Sequence, residues 1–241
     1  MKYSISYMIR LKLVYLSARE MGLSFVGGHF LEIATIAKNN IVFDLGGNLG
    51  NFSKEMVERF DCICYTIEPN PQLFIQLPTH QKIIPLNYAI TEKEGDVEFK
   101  ISENHEASSI YLSIASKWNH QKTIMVRGRT LKNIVDELSI QHIDILKVDI
   151  EGAELGLFKS LSDSDIFSIK QITVEFHESF DSSLADETYA TVKRISNLGF
   201  FTIITSTGKY SEVLFLNKNH FRFSFYKRFW YLIHRCIAHK A

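Results

Sequence analysis

The amino-acid sequence predicts one α/β domain built on a seven-stranded, mostly parallel sheet that helices cover on both faces, with the last strand antiparallel. Two observations predict this doubly wound, Rossmann-like sandwich. Short apolar runs alternate with helical patterns along most of the 241 residues. One such run also ends in a glycine-rich turn that leads into a helix, as in nucleoside-binding sheets. We place the domain at residues 39–217, between a helical extension over 1–38 and a basic aromatic helix over 218–241.

The elements follow one another in the order that such a sheet requires. The apolar run Ile41-Val42-Phe43 is the first central strand. A helix over 51–60 follows, because Phe52, Met56 and Phe60 recur at the spacing that places side chains on one helical face. The remaining predicted elements are strands over 62–67 and 81–86, a hairpin-like insertion over 97–101 and 123–127, a helix over 131–138, a strand over 143–148, a helix over 153–161, a strand over 171–176, a helix over 185–198 and an antiparallel closing pair over 200–205 and 211–216.

Helical patterns also extend beyond the sheet at both ends of the chain. Residues 1–38 read as helical with a break near Gly27-Gly28. The segment after residue 217 has no acidic residue and six basic ones, and it predicts an amphipathic helix. Its apolar stripe is expected to pack on the domain itself or on a second subunit of a homo-oligomer, and peripheral contact with an anionic membrane is the alternative. The stripe comprises Phe225, Phe229, Leu232 and Cys236, with Arg228 and Arg235 on another face.

Composition excludes several classes of protein. The 27 basic residues balance the 27 acidic ones, so no overall field favours a nucleic-acid partner. The cysteines Cys62, Cys64 and Cys236 are too few for a disulfide framework and are typical of a reducing compartment. No apolar run reaches membrane-spanning length. The composition predicts a cytoplasmic enzyme, with the inner membrane surface as the alternative location through the C-terminal helix.

Acids and amides stand where a dinucleotide-binding turn would have glycines. Counting from Gly46, the second and third glycine positions of the pattern G-x-G-x-x-G hold Asn48 and Asn51. The carboxylate of Asp44 would repel a pyrophosphate but suits the ammonium group of S-adenosylmethionine. Glu68, at the end of the second strand, is placed to accept hydrogen bonds from a ribose diol. The sequence therefore predicts S-adenosylmethionine as the ligand, bound by Asp44, Gly46, Asn48, Gly50, Asn51 and Glu68.

Two later motifs narrow the range of enzyme families that the chain could resemble. They are ILKVDIEGAE over residues 145–154 and VEFHE over 174–178. Together with the first motif they resemble the FkbM family of class I S-adenosylmethionine-dependent methyltransferases, over about residues 40–216. The resemblance implies a methyltransferase that adds a methyl group to a hydroxyl of a sugar or secondary metabolite, that is, a small-molecule or glycan acceptor. It also implies an adenine site around Asn87 and Ala89, and a position near donor or acceptor for Ser108 and Ser109.

The ends of the fourth and fifth strands are expected to carry the chemistry. Asp149 and Glu175 close or nearly close these strands, so they should share the ligand-binding edge of the sheet. A hydroxyl acceptor must lose its proton, and His177, just past the fifth strand, is the first candidate base, with Asp149 the second. We assign Glu151 and Glu175 to the acceptor side. Lys147 lies inside the fourth strand, where a structural role is favoured over catalysis.

The same side chains allow a second interpretation as a metal site. Carboxylate oxygens and imidazole nitrogens bind divalent ions such as Mg²⁺ or Mn²⁺, which would lower the pKa of a hydroxyl acceptor. Against a metal, Glu151 could instead cap the helix that begins at Ala153, and strand-end carboxylates can be held by backbone N–H groups. We favour the metal-free interpretation. The four candidate ligands are Asp149, Glu151, Glu175 and His177.

Two other functions fit parts of the sequence. Tyr189 and Lys193 have the Y-x-x-x-K spacing of short-chain dehydrogenases, but the glycine pattern that would bind a nicotinamide cofactor is missing. A sensor or assembly module that binds the donor without catalysis is the other alternative. The intact set of Asp44, Glu68, Asp149 and His177 argues against such a module, because a scaffold has no need of them.

Overall fold

The computed structural model describes residues 5–102, 108–110, 120–177, 184–206 and 210–238. Its elements up to the insertion are α1 (Ile5–Glu20), β1 (Leu23–Val26), β2 (His29–Glu32), β3 (Ile41–Leu45), α2 (Asn51–Phe60), β4 (Ile63–Ile67), α3 (Pro71–Phe74), β5 (Ile83–Leu86), β6 (Ala89–Ile90), β7 (Gly95–Ser102) and β8 (His120–Arg129). The remaining elements are α4 (Leu131–Glu137), β9 (Ile145–Val148), α5 (Glu154–Ser160), α6 (Asp163–Phe167), β10 (Gln171–Glu175), α7 (Ala185–Asn197), β11 (Phe200–Ile204), β12 (Glu212–Asn217) and α8 (Phe225–Ala238).

The central sheet has seven strands in the order β11-β12-β10-β9-β3-β4-β5. The strands from β5 to β10 pair in parallel, whereas β12 runs antiparallel to both β10 and β11. The predicted fold class is confirmed, including the antiparallel last strand. The strand order reverses between β3 and β9, and ligands of open α/β sheets bind in the crevice outside such a reversal.

Helices cover both faces of this sheet. On one face, Phe43 and Leu146 belong to an apolar cluster that includes Phe158 of α5 and Ile195 of α7. On the other face, Val42 belongs to a second cluster, to which α1, α2 and the strands β1 and β2 contribute side chains. The N-terminal extension therefore shares a core with the sheet, and no break in packing marks the predicted boundary near residue 38.

The prediction that residues 1–38 are helical is wrong after α1. The chain forms an antiparallel hairpin in which β1 pairs with β2. Gly27 and Gly28 make its two-residue turn with φ angles of 50° and 97°. Two consecutive residues at positive φ are what a tight hairpin turn requires, and glycine adopts this conformation without strain. The break predicted at this glycine pair is thus a strand-to-strand turn.

The insertion is a hairpin, as predicted, but it belongs to a larger unit. Strand β7 pairs antiparallel with β8, and β8 also pairs in parallel with the short strand β6. The three strands enclose a small apolar cluster that includes Ala89 and Phe99. Because β6 directly follows β5, this sheet lies beside the carboxyl ends of the central strands.

The C-terminal helix exists as predicted, but its predicted apolar stripe is not the face that packs. Helix α8 lies against α1, where the Nδ1 atom of buried His234 is 2.7 Å from Ser17 Oγ. The Nε2 atom of the same ring is 2.7 Å from Ile204 O on β11. Phe229 and Leu232 of the stripe are 52% and 60% exposed. Among the described helices, none is long and apolar enough to cross a membrane.

Candidate functional site

A cavity of about 320 Å³ opens at the carboxyl ends of β3, β4, β9 and β10. It lies at the reversal of strand order, where the topology predicts a ligand. Four of the predicted donor-binding residues line it, namely Gly46, Asn48, Glu68 and Ala89. The other polar or charged side chains in its wall are His29, Tyr88, Ser108, Asp149, Glu151 and Glu175.

The glycines of the first loop are required by packing within the protein. A Cβ atom at Gly46, whose φ is 79°, would lie 1.8 Å from Asp149 O. A Cβ at Gly50 would lie 2.4 Å from Pro78 Cδ, and Gly50 does not line the cavity. Both glycines were predicted to bind the donor, and Gly46 does line the cavity. The absence of their side chains also lets the loop after β3 approach the loop after β9 and the segment after α3.

Glu68 is the most firmly held acid in the cavity wall. Its Oε2 atom accepts a hydrogen bond from Asn48 N and its Oε1 atom accepts one from Asn70 N, both at 2.8 Å. Burial raises the pKa of this carboxyl to about 7, although the two N–H groups favour its charged form. Each carboxylate oxygen has further lone pairs that can accept hydrogen bonds from a diol. The position predicted for the ribose-binding acid is therefore occupied by a fixed acceptor.

The carboxylate of Asp44 is paired within the protein. It is fully buried, does not line the cavity, and accepts a hydrogen bond of 2.7 Å from Ser53 Oγ. Its Oδ1 atom lies 3.2 Å from Lys147 Nζ, so the ammonium group beside it belongs to the protein. This carboxylate compensates a buried lysine and lies outside the cavity lining, which argues against the predicted direct contact with the ligand.

Lys147 has the structural role that was predicted. Its ammonium group donates to Gly46 O at 2.7 Å and lies 3.5 Å from Asp149 Oδ2. Burial disfavours the charged form, but the carboxylates of Asp44 and Asp149 outweigh burial and raise the pKa of Lys147. The lysine thus joins the loop after β3 to the end of β9 through one buried positive charge.

The remaining predicted donor residues have mixed positions. The Asn87 side chain donates to Glu68 O at 2.7 Å, so it supports the backbone of the cavity wall without lining the cavity. Ala89, at the start of β6, does line it. Asn51 is the first residue of α2 and is exposed outside the cavity lining.

Three charged groups enclose His177, which was the first candidate base. The ring is buried and is absent from the cavity lining. Its Nδ1 atom lies 3.0 Å from Glu154 Oε1, and its Nε2 atom lies 3.2 Å from Glu151 Oε2 and 4.0 Å from Asp149 Oδ1. Burial alone would lower the pKa of His177, but Glu154 and Glu151 raise it to about 11. An imidazolium at neutral pH cannot accept a proton, which argues against His177 as the base, and the predicted role stays a prediction.

Three acids at the ends of β9 and β10 face the cavity. Burial and the charge of Asp149 raise the pKa of Glu175 to about 7. Burial also raises the pKa of Glu151, against the hydrogen bond from His177. Burial opposes the ionisation of Asp149, but Lys147 and other nearby positive charge outweigh it and lower the pKa of Asp149. Neighbouring acids with separated pKa values are typical of sites that transfer protons.

Three of the four predicted metal ligands converge. Ligand atoms of Asp149, Glu151 and His177 all lie within 4.8 Å of one another, and Glu175 is not part of this cluster. Each nitrogen of the imidazole ring already faces a carboxylate oxygen. A protonated imidazole offers no lone pair to a metal ion. The cluster as it stands is an ion-pair network in which His177 supplies the positive charge.

The serines of the insertion have different positions. Ser108 lines the cavity and accepts a hydrogen bond from Ser102 N at 3.2 Å. Ser109 does not line the cavity, and its hydroxyl donates to Glu151 O. Ser109 therefore acts on the site through the backbone of Glu151, whose φ of 50° is in the left-handed region.

Sequence analysis missed the contribution of the N-terminal hairpin. The turn residues Gly27 and Gly28 and the adjacent His29 all line the cavity. The Nδ1 atom of His29 lies 3.3 Å from Thr173 Oγ1, and Glu55 accepts a 2.7 Å hydrogen bond from Gly27 N. Burial lowers the pKa of His29 to about 4, so its ring is neutral. The tight-turn pair Gly27-Gly28 was the available signal, but it does not reveal where a hairpin packs.

The positions of Tyr189 and Lys193 do not fit the dehydrogenase alternative. Tyr189 is 51% exposed on α7 and is absent from the cavity lining. The ammonium group of Lys193 lies 5.9 Å from the centre of the Tyr189 ring, an ordinary contact between residues four apart on a helix. This pair is a surface feature.

A family comparison agrees with the position of the cavity. The model described as the methyltransferase FkbM domain matches residues 44–201, about two thirds of the chain. The chain belongs to the FkbM methyltransferase family. The matched region begins at the end of β3 and ends in β11, so it contains the first loop and the cluster around His177. The N-terminal hairpin lies outside it.

Relatives of known name are distant. The hexuronic acid methyltransferase AglP of Haloferax volcanii is 25% identical to this chain, and the match covers 60% of this chain and 59% of AglP. The methyltransferase sdnD of Sordaria araneosa is 22% identical, and that match covers 62% of this chain and 71% of sdnD. A solved structure of the fibrillarin pre-rRNA processing protein of Methanococcus jannaschii covers 83% of this chain and 71% of its own, with 13% identity and a TM-score of 0.44. The chain thus spans about three fifths of the length of AglP.

The residues at the cavity fit the S-adenosylmethionine that membership of this family implies. Glu68 offers carboxylate oxygens to a diol, and Ala89 lines the same cavity. The loop after β3 contributes Gly46 and Asn48. The charged side chains in the described part of the cavity wall are all acidic, a composition that disfavours a pyrophosphate and accepts a sulfonium.

Proposed function

We propose that the protein transfers a methyl group from S-adenosylmethionine to a hydroxyl of a neutral, polyhydroxylated small molecule or glycan. The single observation that carries the proposal is the fixed carboxylate of Glu68 at the end of β4, in a cavity whose other charged wall residues are also acids. Family membership supports the reaction class. We refer below to Gly46, Asn48 and Glu68 as the donor side and to Asp149, Glu151 and Glu175 as the acceptor side.

The donor side binds and orients S-adenosylmethionine. The Glu68 carboxylate accepts hydrogen bonds from the hydroxyl groups of the ribose. Hydrogen bonds from Asn48 N and Asn70 N fix the position of this carboxylate. S-adenosylmethionine, when bound, supplies an electrophilic methyl group on a sulfonium. The acids of the acceptor side favour this positive charge electrostatically.

The acceptor side removes a proton. An alcohol is a weak nucleophile until its proton is accepted by a base whose pKa lies near the working pH. Glu175 has that property, because burial and Asp149 raise its pKa to about 7, and it lines the cavity. We assign the base to the Glu175 carboxylate, which takes the place first given to His177. The imidazolium of His177 then positions Glu151 through their 3.2 Å contact.

The charge of the wall restricts the acceptor. A hexuronic acid, on which the relative AglP acts according to its name, carries a carboxylate of its own. The polar wall of this cavity presents Asp149, Glu151 and Glu175, and no Lys or Arg lies among the described lining residues. Bringing another anion into this wall would cost Coulomb energy. A neutral sugar or polyol hydroxyl is therefore the acceptor class that we propose.

The test is methyl transfer from isotope-labelled S-adenosylmethionine, read by mass spectrometry, to matched pairs of neutral glycosides and the corresponding uronic acids. We expect labelled methyl ethers of the neutral members at rates well above those of the acids. Preferential methylation of the uronic acids would overturn the acceptor class. Donor binding without transfer to any member would leave a binding module as the function.

We also propose that transfer needs no divalent ion, because the imidazolium of His177 supplies the positive charge that a metal would add. Dialysis against a chelator should leave the initial rate unchanged. A rate lost on chelation and restored by Mg²⁺ or Mn²⁺ would establish a metal site instead.

A further inference from the structure

The most unusual surface of the molecule is the outer face of its two terminal helices. On α8, Phe225, Phe229 and Leu232 are 90%, 52% and 60% exposed. The side that α8 turns toward the domain carries other residues, namely the partly buried Trp230 and Tyr231 and the polar ring of His234, which contacts Ser17 and β11. An amphipathic helix that packed on its own domain would bury its apolar stripe. This helix presents that stripe to the outside.

Helix α1 extends the same kind of surface. It packs beside α8, with Arg10 Nε donating to Ile237 O at 3.1 Å and Tyr226 donating to Glu20. Its residues Ile9, Leu13 and Leu16 are between 42% and 54% exposed. We call the terminal-helix surface the set formed by Ile9, Leu13, Leu16, Phe225, Phe229 and Leu232. Exposed apolar side chains on two helices that pack together are typical of an interaction site.

Positive charge is concentrated in the two terminal segments of the chain, which include these helices. Residues 1–31 and 217–241 together contain ten basic residues and one acidic residue. The remaining residues, 32–216, contain seventeen basic and twenty-six acidic residues. The chain therefore has a net charge of zero but places its positive charge on the two terminal segments. Lys12, Arg19, Arg222, Arg228 and Arg235 are exposed there.

The combination of exposed apolar side chains and positive charge fits one kind of partner. Exposed aromatic and aliphatic side chains among basic residues match a bilayer that carries anionic headgroups above an apolar interior. A second copy of the chain is a poorer match, because a two-fold interface would bring two positively charged patches together. We propose that the terminal-helix surface binds the surface of an anionic phospholipid membrane, with α1 and α8 lying in the interfacial plane.

The test is co-sedimentation of the full chain with vesicles of phosphatidylglycerol and phosphatidylcholine in equal amounts, compared with vesicles of phosphatidylcholine alone. We expect binding to the anionic vesicles that weakens as salt is added. Replacing Arg228 and Arg235 by Gln should lower the partition coefficient about fivefold for each charge removed. The double variant Phe229→Ser/Leu232→Ser should lower it by about tenfold or more. The matched control is Ile75→Ser, which removes a 79% exposed apolar side chain elsewhere and should change nothing.

A second measurement reports where the helix lies. Cys236 is the exposed cysteine of the chain, whereas Cys62 and Cys64 are buried and burial raises the pKa of Cys62 to about 12. A polarity-sensitive thiol probe will therefore label Cys236, which belongs to the exposed stripe, and its emission should shift to the blue on anionic vesicles. No shift, or equal binding to both kinds of vesicle, would overturn the proposal. A stable dimer that dissociates in Phe229→Ser/Leu232→Ser, without vesicle binding by the native chain, would identify a second copy as the partner instead.

Discussion

The donor and acceptor sides of the cavity are held by different forces. On the donor side, uncharged backbone N–H groups fix the Glu68 carboxylate. On the acceptor side, titratable groups hold one another, with His177 placed between Glu151 and Glu154. Backbone donors keep their state at any pH, whereas an ion-pair network changes with the protonation of each member. The donor side should therefore depend on single hydrogen bonds and on the ionisation of one carboxyl, Glu68, whereas the acceptor side should depend on the linked protonation of several groups.

Lys147 joins the donor and acceptor sides of the cavity. Replacing it should have the largest effect of all the substitutions, and that effect should be on the stability of the fold. Lys147→Met leaves the carboxylates of Asp44 and Asp149 without their buried counter-charge. We expect the free energy of unfolding to fall by about 4–5 kcal/mol in chemical denaturation. The variant Lys132→Met, which removes a partly exposed lysine paired with Asp136 on the surface, serves as the control. A change below about 1 kcal/mol would contradict the role of Lys147 as the link between the sides.

Glu175→Gln should have the next largest effect and should be confined to the acceptor side. Removing a base costs about a thousandfold in kcat. In the native protein, kcat at saturating donor should rise with pH through about 7, because the Glu175 carboxyl must lose its proton before it can accept another. The variant should lose this inflection and keep its affinity for S-adenosylmethionine in calorimetry. If the inflection near pH 7 persists in Glu175→Gln, another group is the base.

Glu68→Gln should affect the donor side alone. The amide keeps the shape of the carboxylate, but its NH₂ group cannot accept a hydrogen bond from Asn48 N or from a ribose hydroxyl. Donor affinity should fall by about a hundredfold, or about 3 kcal/mol, as measured by calorimetry. The exposed variant Glu58→Gln is the control. Unchanged donor affinity in Glu68→Gln would show that the ribose does not bind here.

His177→Asn should lower stability in a pH-dependent manner. The folded-state pKa of about 11 lies above the ordinary value of 6.5, so the stability that His177 contributes is fully present below about pH 6.5. That contribution is lost as pH rises toward 11. The variant should be less stable by about 2 kcal/mol at pH 6 and should approach the native protein in alkaline denaturation series. A difference that does not depend on pH would contradict the imidazolium.

His29→Gln should have the smallest effect, because the neutral ring borders the cavity from the N-terminal hairpin. We expect KM for the acceptor to rise by about tenfold, with donor affinity unchanged, since one hydrogen-bonding group of the wall is altered. The exposed variant His80→Gln should behave as the native protein. A loss of donor affinity in His29→Gln would place the hairpin on the donor side.

The sheet and the donor side were largely readable from the sequence because their signals are local. The run from Ile41 to Phe60 contains strand, turn and helix in order, and Glu68 follows at the next strand end. The short helices α3 and α6 were missed because four or five residues cannot show helical periodicity. Their caps were visible in retrospect, since Asn70 precedes Pro71 and Ser162 forms a capping box with Asp165.

The acceptor side was less readable because its chemistry is set by residues distant in sequence. The pattern VEFHE revealed His177, but its charge depends on Glu154, twenty-three positions earlier, and on the loop at Glu151. Likewise, a carboxylate at Asp44 could be predicted, whereas its pairing with Lys147 across two strands could not. His29 reaches the cavity only through the packing of a hairpin that the sequence pattern did not reveal.

The most direct test of the account is calorimetric titration of the purified chain with S-adenosylmethionine, its demethylated product and NADH. The account predicts saturable binding of the first two, greatly weakened in Glu68→Gln, and no binding of NADH. Binding of NADH together with no affinity for S-adenosylmethionine or its product would contradict the assignment of the cavity.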